Sequence, residues 1–136
     1  MKIYFAGSIT GGRDDAQLYS EIIEYLKSFG EVLTEHVGSK KISSMGENNG
    51  SFIHDRDMNW LLDADVIVAE VTTPSLGVGY EIGRAVENHK RVLCLYRPQE
   101  GKRLSAMIRG CKDLTVIEYK ELEGVKEKVA NFLSKN

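Results

Sequence analysis

The sequence predicts an α/β fold: a doubly wound, Rossmann-like or flavodoxin-like domain on a five-stranded parallel sheet of order 2-1-3-4-5. Three observations predict it. Short apolar runs without alternation recur, at Ile3–Ala6, Val66–Ala69 and Val92–Leu95, as in strands covered on both faces. Segments with helical spacing lie between these runs, the pattern of right-handed βαβ crossovers. Glycine-rich turns follow the first and third runs, at Gly7–Gly12 and Thr72–Gly79, where an open parallel sheet presents its ligand site.

The elements follow in order. Residues 2–6 read as the first strand and Gly7 to Arg13 as a turn. Asp14 and Asp15 open the next helix, since acidic residues suit a helix N-terminus. Leu18, Ile22, Leu26 and Phe29 mark its inner face and Gly30 its stop. Glu31–Thr34 reads as a short second strand. The polar, glycine-rich segment 38–50 reads as a long functional loop. Residues 51–63 form the second helix, with Ser51 as its cap. On it Asp57 shares a face with Ile53, Trp60 and Leu61. A carboxylate on an apolar face is costly unless it is paired or used, whereas Asp55 and Asp63 read as surface charges.

The third strand, from Val66, must stop before Pro74, which has no ladder donor. The chain then passes Gly77 and Gly79 into a helix that carries Val78, Ile82, Ala85 and Val86 on one face, with Glu81 beside them in its first turn. There the helix dipole holds a carboxylate ionised. Arg91–Tyr96 is the fourth strand. Leu104, Met107 and Ile108 mark a short helix ending near Gly110, and Thr115–Tyr119 an edge strand. The terminal helix, 121–133, turns Val125, Val129 and Phe132 inward.

A chain of 136 residues is long enough for one cored domain, and residues 1–136 read as one, without linker or repeat. The formal net charge of -2 argues against a partner such as polymeric nucleic acid, which calls for a basic stripe. Cys94 and Cys111 stand outside any CxxC spacing and read as reduced thiols of a cytoplasmic protein, also nuclear if the source is eukaryotic. No secretory leader or membrane partner is expected, because the chain opens into a strand and no apolar run is long enough to span a bilayer.

In the order 2-1-3-4-5 the switch point lies between the first and third strands. There the two glycine turns meet and Tyr4, Asp57 and Glu81 converge. Two carboxylates facing a cleft suit glycosidic chemistry, one at the anomeric carbon and the other protonating the leaving group. The glycine turns with Ser8, Ser75 and Arg13 point to a phosphate on the sugar. Plainer readings compete: Glu81 as a helix-end charge, Asp57 paired with an arginine, and Tyr4, Trp60 and Met107 as packing. His36, His54 and Asp57 lack a third ligand of recognisable spacing, so neither metal nor cofactor is expected.

The blocks Tyr4-Phe5-Ala6-Gly7-Ser8-Ile9, Pro74-Ser75-Leu76-Gly77-Val78-Gly79-Tyr80-Glu81 and Leu104-Ser105-Ala106-Met107-Ile108-Arg109-Gly110 closely resemble the 2'-deoxynucleoside 5'-monophosphate N-glycosidases. Those enzymes belong to the nucleoside 2-deoxyribosyltransferase superfamily. The resemblance implies a homodimeric hydrolase that cuts base from 2-deoxyribose 5-phosphate. It makes Glu81 the nucleophile of a covalent intermediate, Tyr4 its orienting partner and Asp57 the acid for the leaving base. It assigns Gly7, Ile9, Thr10, Gly11, Ser75 and Gly77 to nucleotide binding, and Ser105, near Met107, to the phosphate across the subunit interface. The family pattern has arginine where this chain has Thr10. Transferases of unphosphorylated nucleosides tend to carry a carboxylate six residues before the nucleophile; this chain has Ser75, whose hydroxyl can donate to a phosphate that a carboxylate would repel. Purines and a modified pyrimidine such as 5-hydroxymethyluracil both stay open as the base. The alternatives are a deoxyribosyltransferase and a nucleotide-binding module without turnover.

Overall fold

The computed structural model describes residues 1–9, 15–34 and 49–135. Strands and helices alternate: β1 (Lys2–Ala6), α1 (Ala16–Lys27), β2 (Glu31–Val32), α2 (Gly50–Asp63), β3 (Val66–Glu70), α3 (Leu76–Glu87), β4 (Arg91–Tyr96), α4 (Ala106–Arg109), β5 (Leu114–Glu118) and α5 (Leu122–Ser134). The five strands form one parallel sheet in the order β2-β1-β3-β4-β5, as the sequence predicts.

Side chains alternate across the sheet and fill two cores. Ile3, Phe5, Val66, Val68, Leu93 and Leu95 pack with Tyr19, Ile22 and Leu26 of α1 and Val125 and Val129 of α5. Tyr4, Ala6, Ile67, Ala69, Val92 and Cys94 pack with Met58 and Leu61 of α2 and Val78, Ile82 and Ala85 of α3. Both faces are covered, which is why the strand sequences show no polar alternation.

Local chemistry moves several boundaries. β2 ends at Val32 rather than Thr34. The buried Thr34 hydroxyl replaces the next rung, accepting from the Phe5 N–H at 2.8 Å and donating to the Phe5 carbonyl at 2.7 Å. Asn49, not Ser51, caps α2, its side chain accepting from the Phe52 N–H at 3.0 Å. α1 begins at Ala16 after Asp15, which makes no side-chain cap bond; Asp14 lies outside the described residues. In α5 it is Leu133, not Phe132, that completes the buried face. Most of the loop read at 38–50 also lies outside the described residues.

Candidate active site

The site sits at the carboxyl end of β1 and β3, between α2 and α3. Tyr4 is only 1% exposed, and its phenol donates a hydrogen bond to Oε2 of Glu81. α3 begins earlier than the sequence predicts, because the Ser75 hydroxyl accepts from the Val78 N–H at 3.2 Å and caps it. Glu81 therefore stands in the second turn, not the first, and the helix end does not hold it ionised. Burial instead pushes its carboxyl up to about 7; the Tyr4 hydrogen bond opposes this, and the charge of Asp57 adds to it. The Tyr4 phenol is pushed far above its ordinary range, by burial first and by Glu81 second.

Asp57 faces this pair from α2. It raises both Glu81 and Tyr4 through its charge, so the three groups form one electrostatic unit. It is also paired, accepting from Nε of Arg56 at 3.1 Å. That guanidinium lies over the Trp60 ring, 5.0 Å from its centroid. The plainer reading of Asp57 as a partner of arginine thus holds together with its place in the site. His54 is occupied at the surface, Nε2 with the Tyr80 hydroxyl at 2.8 Å and Nδ1 with Asp55 at 2.9 Å.

The residues assigned to substrate binding separate. At Gly7 a side chain would meet the Tyr19 ring at 2.9 Å, so glycine is required there by packing. The adjacent Ser8 is buried, and its N–H donates to the Tyr19 hydroxyl at 3.2 Å. Ile9 packs against the α1 and α5 core. Thr10, Gly11, Arg13 and His36 lie outside the described residues. Gly77 meets nothing nearer than the Ser75 hydroxyl at 3.8 Å, and Gly79 meets nothing within 4 Å. Both belong to α3 rather than to a turn, and they leave its first turns bare.

Ser105 caps α4, accepting from the Met107 N–H at 3.2 Å. Ser75 and Ser105 line one cavity of about 320 Å³ with Leu76, Ile82, Leu104 and Met107. Met107 is 82% exposed, which corrects its reading as a packed residue. A larger groove of about 850 Å³ lies between α1 and α5; neither it nor the smaller cavity is lined by Tyr4, Asp57 or Glu81, and the smaller one adjoins their site through Val78, Gly79 and Ile82 of α3.

Sequence reasoning missed a third carboxylate. Glu70 ends β3 on the opposite face of the sheet and is 0% exposed. It accepts from the Thr72 N–H at 2.8 Å, the Thr72 hydroxyl at 2.9 Å, Nε of Arg97 at 3.2 Å and the Tyr119 hydroxyl. The available signal was period two: Val66, Val68 and Glu70 share a face that is otherwise wholly apolar.

A buried phenol on a glutamate, with a second carboxylate opposite, at the carboxyl edge of a parallel sheet defines an α/β enzyme site of glycosidic type. The chain belongs to the nucleoside 2-deoxyribosyltransferase family, whose profile matches residues 3–121. It is 62% identical over 113 residues to a 5-hydroxymethyl-dUMP N-hydrolase of Tetraodon nigroviridis, covering 81% of this chain and 80% of that one. It is 52% identical over 145 residues to the protein of the same name from Esox lucius, covering 100% of both. A 2-deoxyribosyltransferase of Bacillus psychrosaccharolyticus shares the fold, with a TM-score of 0.71 at 18% identity over 97% of this chain and 96% of the other.

Proposed function

We propose that this protein hydrolyses the N-glycosidic bond of 2'-deoxynucleoside 5'-monophosphates, releasing free base and 2-deoxyribose 5-phosphate. The observation that carries this reading is the hydrogen bond from Tyr4 to Glu81 beside Asp57. The names of the relatives make 5-hydroxymethyl-dUMP the first substrate to try.

In this mechanism the phenol of Tyr4 holds Oε2 of Glu81 and leaves Oε1 to attack C1' of the sugar. The C1'–N bond breaks, its electron pair leaves with the base, and the base nitrogen takes a proton that Asp57 relays from solvent. The ester of Glu81 with the sugar is then opened by water at C1'. Asp57, now a carboxylate, accepts the water's proton, and Glu81 departs ionised. The half-buried Glu81 near pH 7 is divided between its two protonation states, and only the carboxylate attacks.

The 5'-phosphate lies against the Ser75 hydroxyl and the bare N-terminal turn of α3, where backbone N–H groups and the helix dipole favour an anion. Ser75 in this place, rather than a carboxylate, favours a phosphorylated substrate. Two copies form a dimer in which Ser105 of one reaches the phosphate bound by the other. Leu76, 97% exposed, and Met107 flank the cavity of Ser75 and Ser105 and supply an apolar surface for that contact. Two free cysteines, Cys94 and Cys111, fit a reducing, cytoplasmic setting.

The test is product chromatography after incubation with 5-hydroxymethyl-dUMP and dGMP, wild type beside Glu81→Ala. Wild type releases base, and the folded variant releases none. Undiminished release by Glu81→Ala sinks the assignment.

A further inference from the structure

We propose that Glu70 is a positioning residue for the phosphate end of this site, locking the β3–α3 turn to the start of α1 through Thr72, Arg97 and Asp15. This rests on the hydrolase reading above and deepens it.

A buried carboxylate is costly to keep unless its oxygens are satisfied. Here both are: Oε1 takes the Thr72 N–H, and Oε2 takes the Thr72 hydroxyl, Nε of Arg97 and the Tyr119 hydroxyl. An apolar residue would fill the same space at lower cost. What it could not do is fix three chain segments relative to one another.

Thr72 lies in the turn that delivers Ser75 to the head of α3. Arg97, just past β4, donates its backbone N–H to the Thr72 hydroxyl at 2.9 Å. Its Nη2 donates to Oδ2 of Asp15 at 2.7 Å. The Thr73 hydroxyl reaches the same Asp15 oxygen at 3.4 Å. Asp15 precedes α1, and its carbonyl accepts from the Tyr19 N–H at 2.8 Å. Tyr19 in turn holds the N–H of Ser8 at 3.2 Å. The chain of contacts thus runs from the turn before Ser75, which sets the phosphate end of the site, to the start of α1 and on to Ser8. A fully satisfied network of this kind specifies one geometry.

The network lies on the α1 and α5 face of the sheet, whereas Tyr4 and Glu81 lie on the other. Its loss therefore acts on substrate binding and spares the reacting groups. Glu70→Gln turns one acceptor into a donor among donors. Arg97→Lys keeps the charge and loses the fork that spans Glu70 and Asp15.

The experiment measures kcat and KM for the deoxynucleoside monophosphate that the wild type cleaves, and the pH dependence of kcat. Both variants are expected to raise KM by about tenfold, as for one lost charge-assisted hydrogen bond. The expected kcat stays within about twofold, with its pH limb unmoved. A fall in kcat at unchanged KM marks a merely structural role and overturns the proposal, as does no change in either. Should Glu70→Gln fail to fold, Tyr119→Phe removes one donor and keeps the ring; unchanged KM in that variant overturns the proposal equally. A wild type that releases no base refutes the hydrolase reading alone. Calorimetric titration with 5-hydroxymethyl-dUMP then decides, with weaker affinity in the variants supporting the positioning role and equal affinity overturning it.

Discussion

The phenol of Tyr4 donates a hydrogen bond to Glu81 across 77 residues of sequence, joining the first strand of the sheet to α3. Tyr4 is fixed by the core around it, so the glutamate is aimed by a group that cannot itself swing. The bond also opposes the effect of burial on Glu81 and keeps a usable fraction ionised near neutrality.

The pH dependence follows from that balance. Attack needs the carboxylate, so kcat/KM is expected to rise with pH through about 7. Tyr4→Phe deletes the interaction that lowers Glu81 and should move this rising limb to higher pH, with activity lost most at the acid side. A limb that stays put in Tyr4→Phe, measured by initial rates from pH 5 to 9, contradicts the coupling.

Stability should carry the same signature. Because folding raises the carboxyl of Glu81 to about 7, the folded state binds more protons than the unfolded chain between the ordinary carboxylate range and neutrality. Stability is therefore fully present at acid pH and falls as pH rises through that window. Glu81→Gln removes the cost of the buried charge and should stabilise the fold at pH 8, by up to about 3 kcal/mol. At pH 4 it should differ little from wild type. Urea melts at the two pH values check this, and an equal difference at both contradicts it.

Thr34 tests the sheet edge. Its hydroxyl is the partner of both the N–H and the carbonyl of Phe5, and valine would bury both unsatisfied. Thr34→Val should cost about 2 kcal/mol in a denaturant melt. A loss within error of zero means that water or a shifted backbone takes over the rung.

The proposed dimer and the role of Ser105 are tested separately. Leu76→Asp places a charge on the exposed apolar surface and should give monomers by analytical ultracentrifugation. Ser105→Ala should leave the dimer intact and raise KM for the monophosphate more than for the nucleoside. Equal losses for the two substrates remove the phosphate role of Ser105, and a Leu76→Asp protein that stays dimeric removes this face from the interface.

Much of this was legible in the sequence because it rests on short-range patterns. Unbroken apolar runs gave the parallel strands, the doubly wound class supplied the order that the sheet adopts, and helical spacing put Asp57 and Glu81 on faces turned toward the same strand ends. The details that failed around the site were chiefly capping decisions. Asn49 outcompetes Ser51, and Ser75 starts α3 early enough to move Glu81 beyond the dipole's reach. Glu70 was missed for a different reason. A carboxylate at a strand end normally meets water, and its four donors come from Thr72, Arg97 and Tyr119, the last 49 residues away.

The most direct test of the central claim is to incubate the wild-type enzyme with 5-hydroxymethyl-dUMP, with and without excess adenine, and to separate the products. Hydrolysis predicts 5-hydroxymethyluracil and 2-deoxyribose 5-phosphate in equal amounts, unaffected by adenine. Appearance of dAMP at the expense of the free sugar phosphate would contradict it and make the protein a transferase.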